Sequence, residues 1–160
     1  MKKLFLAACI AFASLNSSAQ TYIAVSTTLY TSPGSLAAKA SPAIEIGKQL
    51  GPVSVGIDIG KTNCAPKAGK DTTLYLELRP NLNVFQQGNF TNTLTIGLGV
   101  VPFSTQVMMG ELSYGIEYAC TEKVHLNVNF GQYYFSGTST NNTATYFGIN
   151  IIRYLHTNKK

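Results

Sequence analysis

The chain has 160 residues, of which 45% are hydrophobic and 12% are charged, and its formal net charge is +5. This length suits one domain. The charged fraction is about half of the roughly 25% that is typical of soluble domains, which excludes a highly charged disordered chain. The Lys and Arg residues are scattered and form no basic block, so no nucleic-acid partner is expected.

The first 19 residues have the pattern of a secretory signal peptide. Lys2 and Lys3 precede an apolar stretch over residues 4–13, and Ser17 and Ala19 place small side chains at the −3 and −1 positions of a cleavage site. We therefore predict export and cleavage after Ala19. An alternative is a lipobox over residues 6–9 that would make Cys9 a lipidated terminus, although few apolar residues precede it. No later apolar segment is nearly as long as the about 20 residues that a membrane-spanning helix needs.

Eight segments of the remaining chain are predicted to be β-strands. Strict alternation of apolar and polar residues, typical of a strand with two different faces, covers residues 53–60, 74–79, 94–100, 112–118 and 124–131. Weaker copies of the pattern cover residues 22–30, 44–50 and 147–151. Pro80 falls within the fourth strand, where a closed sheet has no free edge, so we expect a bulge there or an early end of that strand.

The connections between these strands alternate between short and long. Short links lie at 51–52, 86–89 and 121–123, and long links rich in Pro, Gly, Ser, Thr and Asn lie at 31–42, 62–71, 102–109 and 136–143. This arrangement is typical of an up-and-down meander with both termini at the short-turn end. Cys64 and Cys120 then lie at opposite ends, so we predict no disulfide between them.

The composition of the polar face indicates that it lies inside a barrel. That face is rich in Gly and nearly free of Lys, which suits a narrow lumen better than a solvent-exposed sheet. A strand of about ten residues tilted by about 45° rises about 23 Å, close to the apolar belt of about 25 Å of membrane barrels. We therefore predict an all-β fold, an eight-stranded antiparallel up-and-down transmembrane β-barrel.

Aromatic residues concentrate near the strand ends, which we interpret as two belts at membrane–water interfaces. Near the long loops lie Tyr30, Tyr75, Phe103, Tyr133, Tyr134, Phe135, Tyr146 and Phe147, and near the short turns lie Tyr22, Phe85, Phe90, Tyr118 and Tyr154.

On these features the chain resembles the small eight-stranded outer-membrane β-barrels of Gram-negative bacteria, of the outer-membrane protein A and X type. The resemblance covers residues 20–155 and leaves a short polar tail at 156–160. It implies an outer-membrane location with the short turns in the periplasm and the long loops outside the cell. The chain departs from the family at its end, since family members often end on an aromatic residue, and Arg153 breaks the outward apolar series.

Six charged residues fall on the inward face and are predicted to form a buried polar network that fills the lumen: Glu45, Asp58, Glu77, Arg79, Glu111 and Glu117. Buried charges must be paired to be tolerated, and an eight-stranded barrel is filled by its own side chains, so we expect no useful pore. A second set, Lys39, Lys61, Lys67 and Lys70, lies in or beside the first two long loops. These cations suit lipopolysaccharide phosphates or an acidic partner, or alternatively provide solubility and lipid-headgroup contact.

The sequence contains no convincing catalytic, metal or cofactor site. Neither His125 nor His156 lies near the long loops, and a lumen hydrogen bond is the expected role of His125. We predict a non-enzymatic barrel acting through its outer loops or as an accessory subunit of an outer-membrane complex. One alternative is a secreted lipocalin-like barrel that binds a small apolar ligand in an inward apolar face. A weaker alternative is a lipid A-modifying enzyme.

Overall fold

The computed structural model describes residues 19–31, 39–62, 73–102, 107–136 and 142–155. These ranges hold eight strands: β1 (Gln20–Thr31), β2 (Lys39–Leu50), β3 (Val53–Thr62), β4 (Thr73–Gln87), β5 (Phe90–Val101), β6 (Val107–Ala119), β7 (Val124–Ser136) and β8 (Asn142–Tyr154). Each strand pairs antiparallel with the next, and β8 pairs with β1. The predicted eight-stranded up-and-down barrel is confirmed. The predicted signal peptide up to residue 18 and the tail at 156–160 lie outside the described residues.

The two faces of each strand differ as the alternation predicts, with the aliphatic side chains outside. On β2 the Ile44 and Ile46 side chains are 54% and 53% exposed, whereas Glu45 between them is 6% exposed and faces the lumen. Glu45 pairs across the sheet with the buried Asp58 of β3. A lipocalin-like barrel needs an apolar inner lining. The inward faces of β2 and β3 carry charged residues instead. The described residues also include no helix long and apolar enough to cross a membrane.

Three of the predicted loops are shorter than expected, because strand pairing continues into them. β2 begins at Lys39, β6 at Val107 and β8 at Asn142, so the predicted loop ranges 31–42, 102–109 and 136–143 were wrong at their C-terminal sides. Pro42 lies within β2, opposite Thr27 of β1, with an exposed side chain. Residues 39–42 have the composition of a loop, but they pair with β1 and so extend the sheet toward the long-loop end.

The irregularity in β4 lies further along the strand than the sequence suggests. Around Pro80 the pairing with β5 passes from Leu78 opposite Leu98 to Asn81 opposite Thr95 with no change of register. The register shifts between Asn83 and Phe85 instead. The expected bulge at Pro80 or early end of the strand is therefore wrong. Val84, between the two residues that frame the shift, and Phe85 are consecutive and both more than half exposed, as expected where one extra residue breaks the alternation.

The aromatic residues do not all form interfacial belts. Outward positions hold Phe85, Phe90, Tyr118, Tyr134 and Phe147, whereas Tyr22, Tyr30, Tyr75, Tyr133, Phe135, Tyr146 and Tyr154 are buried in the lumen. The prediction that counted all of them as belt residues was wrong for the buried seven, and Phe103 lies outside the described residues. Position along the chain places a residue near a strand end, but the parity within the strand decides which face it joins.

Two of the short turns use glycine in a left-handed conformation. Gly51 and Gly88 each begin a two-residue turn, between β2 and β3 and between β4 and β5, and both have φ 59°. A glycine at the first central position matches the tight hairpin turns that follow the twist of the strands.

We expect Gly88→Ala to lower the free energy of unfolding by about 1 kcal/mol, because an L-residue is disfavoured in the left-handed region. The matched control is Gly110→Ala, at an outward strand position where an added Cβ would meet no heavy atom closer than 3.8 Å. Urea unfolding of the refolded barrel, followed by circular dichroism, measures both. Equal effects of the two substitutions would contradict the turn assignment.

Candidate functional site

A single arginine connects three strands across the lumen. Arg79 projects inward from β4 and donates from Nη1 to Oε2 of Glu45 on β2, at 2.8 Å. From Nε and Nη2 it donates to both carboxylate oxygens of Glu111 on β6, at 2.8 and 2.9 Å. All three side chains are at most 8% exposed. The two-point contact with Glu111 is the geometry in which arginine binds a carboxylate most strongly.

Hydroxyl groups donate further hydrogen bonds to the two carboxylates that pair with Arg79. Tyr22 of β1 donates to Oε1 of Glu45 at 2.5 Å, and Ser113 donates to Oε1 of Glu111 at 3.0 Å. The Tyr146 hydroxyl of β8 also donates to Oε1 of Glu111. These donors supply the additional hydrogen bonds that a buried ion pair needs to offset desolvation. We name Arg79, Glu45 and Glu111 the central cluster.

Inward glycines make room for this cluster. A Cβ at Gly56 would overlap the Glu45 carboxylate, and a Cβ at Gly97 would overlap that of Glu77. One at Gly47 would overlap the ring of Tyr22. The Gly-rich character of the inward face thus follows from the size of the acidic and tyrosine side chains that share the lumen.

Two of the predicted network members lie beside the central cluster without an ion pair to Arg79. Asp58 accepts a hydrogen bond from the Tyr75 hydroxyl at 2.7 Å through Oδ2, and its Oδ1 has no partner among the described residues. Glu77 is 1% exposed, and neither of its carboxylate oxygens has a hydrogen-bond partner there. An added Cβ at Gly97 would touch both Glu77 and Glu111, so these two acids are near neighbours.

The sixth predicted member, Glu117, lies apart from the central cluster. Its Oε1 contacts Nδ1 of His125 on β7, and the two side chains are 13% and 19% exposed. The His125 ring lies edge-on to Tyr154, with ring centroids 4.8 Å apart. Glu117 and His125 thus form a second pair at the short-turn end, and the prediction of one ionic network with all six residues is corrected accordingly.

The Glu117–His125 pair supplies two of the three groups that nucleophilic catalysis uses. No hydrogen bond joins His125 to a serine, threonine or cysteine among the described residues. Across the same part of the chain, no group of three or more His, Cys, Asp or Glu residues is placed to hold a metal ion. The geometry is that of a hydrogen bond that orients two lumen side chains.

A polar cavity of about 40 Å³ lies between the central cluster and the short-turn end. It is lined largely by amide and hydroxyl side chains, together with Glu45, Arg79, Glu117, Tyr22 and Tyr154; the amides are Gln49, Asn81, Asn83, Asn127, Asn129 and Asn150. Since about 10–15 Å³ of such volume holds one water, the cavity has room for about three waters.

The opposite half of the lumen is packed mainly with aromatic side chains. One buried cluster at the long-loop end consists of Tyr30, Ala43, Tyr75, Val101, Met109, Tyr133, Phe135, Ala144 and Tyr146. Tyr133 and Tyr146 stack with centroids 4.4 Å apart. The described part of the lumen is thus filled by aromatic rings at one end and by the central cluster in the middle.

The predicted cationic loop patch is placed only in part. Lys61 is exposed near the end of β3, and Lys39 begins β2. Lys67 and Lys70 lie outside the described residues, as does Cys64. Cys120 is exposed with a free thiol in the turn between β6 and β7, so the prediction of no disulfide with Cys64 stays a prediction.

Sequence reasoning missed the tyrosine hydroxyls as part of the site. Tyr22, Tyr75 and Tyr146 each donate to a lumen carboxylate, although they were assigned to the interfacial belts. A signal for one of them was present, because Tyr75 lies two residues from Glu77 and therefore on the same face of the strand.

Comparison with solved structures defines the class of fold. The chain is similar to the crystal structure of Neisserial surface protein A, with a TM-score of 0.58 and 13% identity over 86% of this chain and 97% of that one. It is similar to the N-terminal β-barrel domain of Pseudomonas aeruginosa OprF, with a TM-score of 0.55 and 13% identity over 84% and 99%. The solution structure of the de novo designed TMB2.3 is also similar, with a TM-score of 0.55 and 12% identity over 89% and 100%.

The protein therefore has the fold of the small eight-stranded outer-membrane β-barrels, as the resemblance in sequence features implied. At 12–13% identity the likeness is one of fold. No protein-family model and no curated protein sequence matches the chain.

We expect Arg79→Gln to lower the free energy of unfolding by about 3–5 kcal/mol, because it leaves the Glu45 and Glu111 carboxylates buried without a cation. Adding Glu45→Gln and Glu111→Gln should restore part of that loss. Denaturant unfolding of the refolded barrel measures all variants, and Lys61→Gln, at an exposed position, is the control. An Arg79→Gln variant as stable as the parent would show that the central cluster does not stabilise the barrel.

Glu77→Gln should leave the free energy of unfolding unchanged or raise it by about 1–2 kcal/mol, since an amide needs no counter-ion and can donate to the neighbouring Glu111. The matched Glu111→Gln should destabilise, because it removes a carboxylate that Arg79 and two hydroxyls contact. Both are measured in the same unfolding assay. A larger loss for Glu77→Gln than for Glu111→Gln would contradict this distinction.

Proposed function

We propose that the protein is a non-enzymatic barrel of the bacterial outer membrane that acts through its surface rather than through a pore or an active site. The observation that carries this proposal is the continuous outward face of aliphatic side chains, such as Val25, Ile44, Ile59 and Ile149, each about half exposed. An exposed apolar surface of this extent on a closed barrel is stable in lipid and a liability in water.

The filled lumen supports a structural or interaction role. The central cluster crosses the middle of the barrel, and the aromatic cluster fills the long-loop end. The polar cavity between the central cluster and the short turns has room for only about three waters. A protein built in this way contributes no wide aqueous path, so its partners would meet it on the outside.

The surfaces available for partners are the long connections and the wall. We propose that the connections after β1, β3, β5 and β7 lie outside the cell and contact lipopolysaccharide or a protein, and that Lys39, Lys61, Lys67 and Lys70 favour anionic groups there. The same surfaces would serve an accessory subunit of an outer-membrane complex. Export by a signal peptide cleaved after Ala19 is part of this proposal.

The first experiment compares the gel mobility of the membrane-extracted protein before and after boiling in SDS. A closed membrane barrel resists SDS until heated, so we expect a mobility shift together with recovery in the outer-membrane fraction. Recovery in the soluble periplasmic extract without a shift would overturn the proposal and favour a soluble ligand-binding barrel.

A substitution pair tests the lipid-facing assignment directly. Ile44→Lys, near the middle of β2, should cost about 2–4 kcal/mol of unfolding free energy in vesicles, whereas Thr31→Lys, at the end of β1, should cost about 0–1 kcal/mol. Both positions are exposed, so a water-facing wall would tolerate both changes equally. Equal, small effects in urea titrations of vesicle-inserted protein would contradict the membrane-spanning orientation.

A further inference from the structure

The carboxylates of the strands face the lumen, whereas the outward charges of the described strands are cations. The five carboxylates of the strands, Glu45, Asp58, Glu77, Glu111 and Glu117, all belong to the inward face. The outward charges among the described strand side chains are Lys48, Lys61 and Arg153, and all three are cations. In a lipid-facing wall this separation favours anionic groups of the surrounding bilayer.

Two of these cations lie close together at the short-turn end. Arg153 of β8 is opposite Ile23 of β1, and Lys48 of β2 is opposite Thr21 of β1. Two strand spacings and two residues of rise therefore separate the Cα atoms of Arg153 and Lys48, about 12 Å. Long, flexible side chains at this spacing can reach a common lipid headgroup that lies over Thr21.

No charged or hydrogen-bonding side chain among the described residues accounts for the position of Arg153 on the wall. The guanidinium is exposed on the wall and makes no ion pair or side-chain hydrogen bond with the residues that the structure describes. The neighbouring turn carries Glu122 and Lys123, whose charges are opposite and exposed. Arginine at the edge of an apolar belt is stable when it meets an anion, and its planar fork matches phosphate oxygens at two points.

We propose that Arg153 and Lys48 form a binding site for the phosphate of an anionic glycerophospholipid in the leaflet next to the short turns. This inference rests on the proposed function, since it requires the barrel to be inserted in a bilayer. It accounts for Arg153 as the residue that ends the outward apolar series Phe147, Ile149 and Ile151. The site is separate from the cationic residues at the long-loop end.

The test is native mass spectrometry of the folded chain in detergent micelles, titrated with phosphatidylglycerol or with phosphatidylcholine as the zwitterionic comparison. We expect tighter retention of phosphatidylglycerol. A cation near an anionic lipid surface contributes about 1 kcal/mol to the binding free energy. Arg153→Gln and Lys48→Gln should therefore each weaken the retention of phosphatidylglycerol about fivefold, and the double variant should weaken it roughly 25-fold. Lys123→Gln, which removes an exposed cation of the neighbouring turn that is not part of the site, should leave retention unchanged.

Equal retention of the two lipids by the parent protein would overturn the proposal, as would equal losses in Arg153→Gln and Lys123→Gln. Arg153 lies on the seam between β8 and β1, so folding of each variant is checked by its heat-dependent gel shift. If Arg153→Gln does not fold, Lys48→Gln alone decides between a fivefold loss and none.

The parent protein is also inserted into phosphatidylcholine vesicles. No insertion there would overturn the proposed function, and insertion without a preference for phosphatidylglycerol would overturn only the lipid site.

Discussion

The pairing of Arg79 with Glu45 and Glu111 is the interaction on which the interior of this barrel depends. Three inward charges from β2, β4 and β6 meet in a space with little water, where one unpaired charge would cost several kcal/mol. The rest of the lumen is arranged around them. Tyrosine hydroxyls of β1 and β8 supply the remaining hydrogen bonds, and Gly56 leaves the space that the Glu45 side chain occupies.

The composition of the wall follows from the same separation of polar and apolar groups. Because the acids and amides lie inside the barrel, the outer surface can be aliphatic over most of its height, with cations near the strand ends. The lumen itself is asymmetric: aromatic rings fill the long-loop end, and a small amide-lined cavity lies toward the short turns. These features are the basis for the proposal that the protein acts through its outer surface.

Much of the fold was predictable because a strand repeats its environment every second residue. Alternation over residues such as 53–60 and 124–131 predicts both the strands and the faces they expose, and the structure confirms the barrel. The errors fall where pairing with a neighbour overrides local composition. Pro42 lies within β2 although it was assigned to a loop, and the register shift of β4 lies beyond Asn83 rather than at Pro80. In both cases the partner strand determines how far pairing extends.

The sequence by itself determined the class of architecture, the inward position of the six charged residues and the alternation of short and long connections, since these depend on local periodicity and turn chemistry. Only the tertiary structure decided which charges meet. Arg79 reaches Glu45 and Glu111, Glu117 pairs with His125, and Glu77 has no hydrogen-bond partner among the residues that the structure describes. Residues on the inward face of every strand share the lumen. The distances between their side chains are set by the register of the strands and by the pairing of β8 with β1. Contacts between strands that are far apart in sequence therefore depend on the closed barrel.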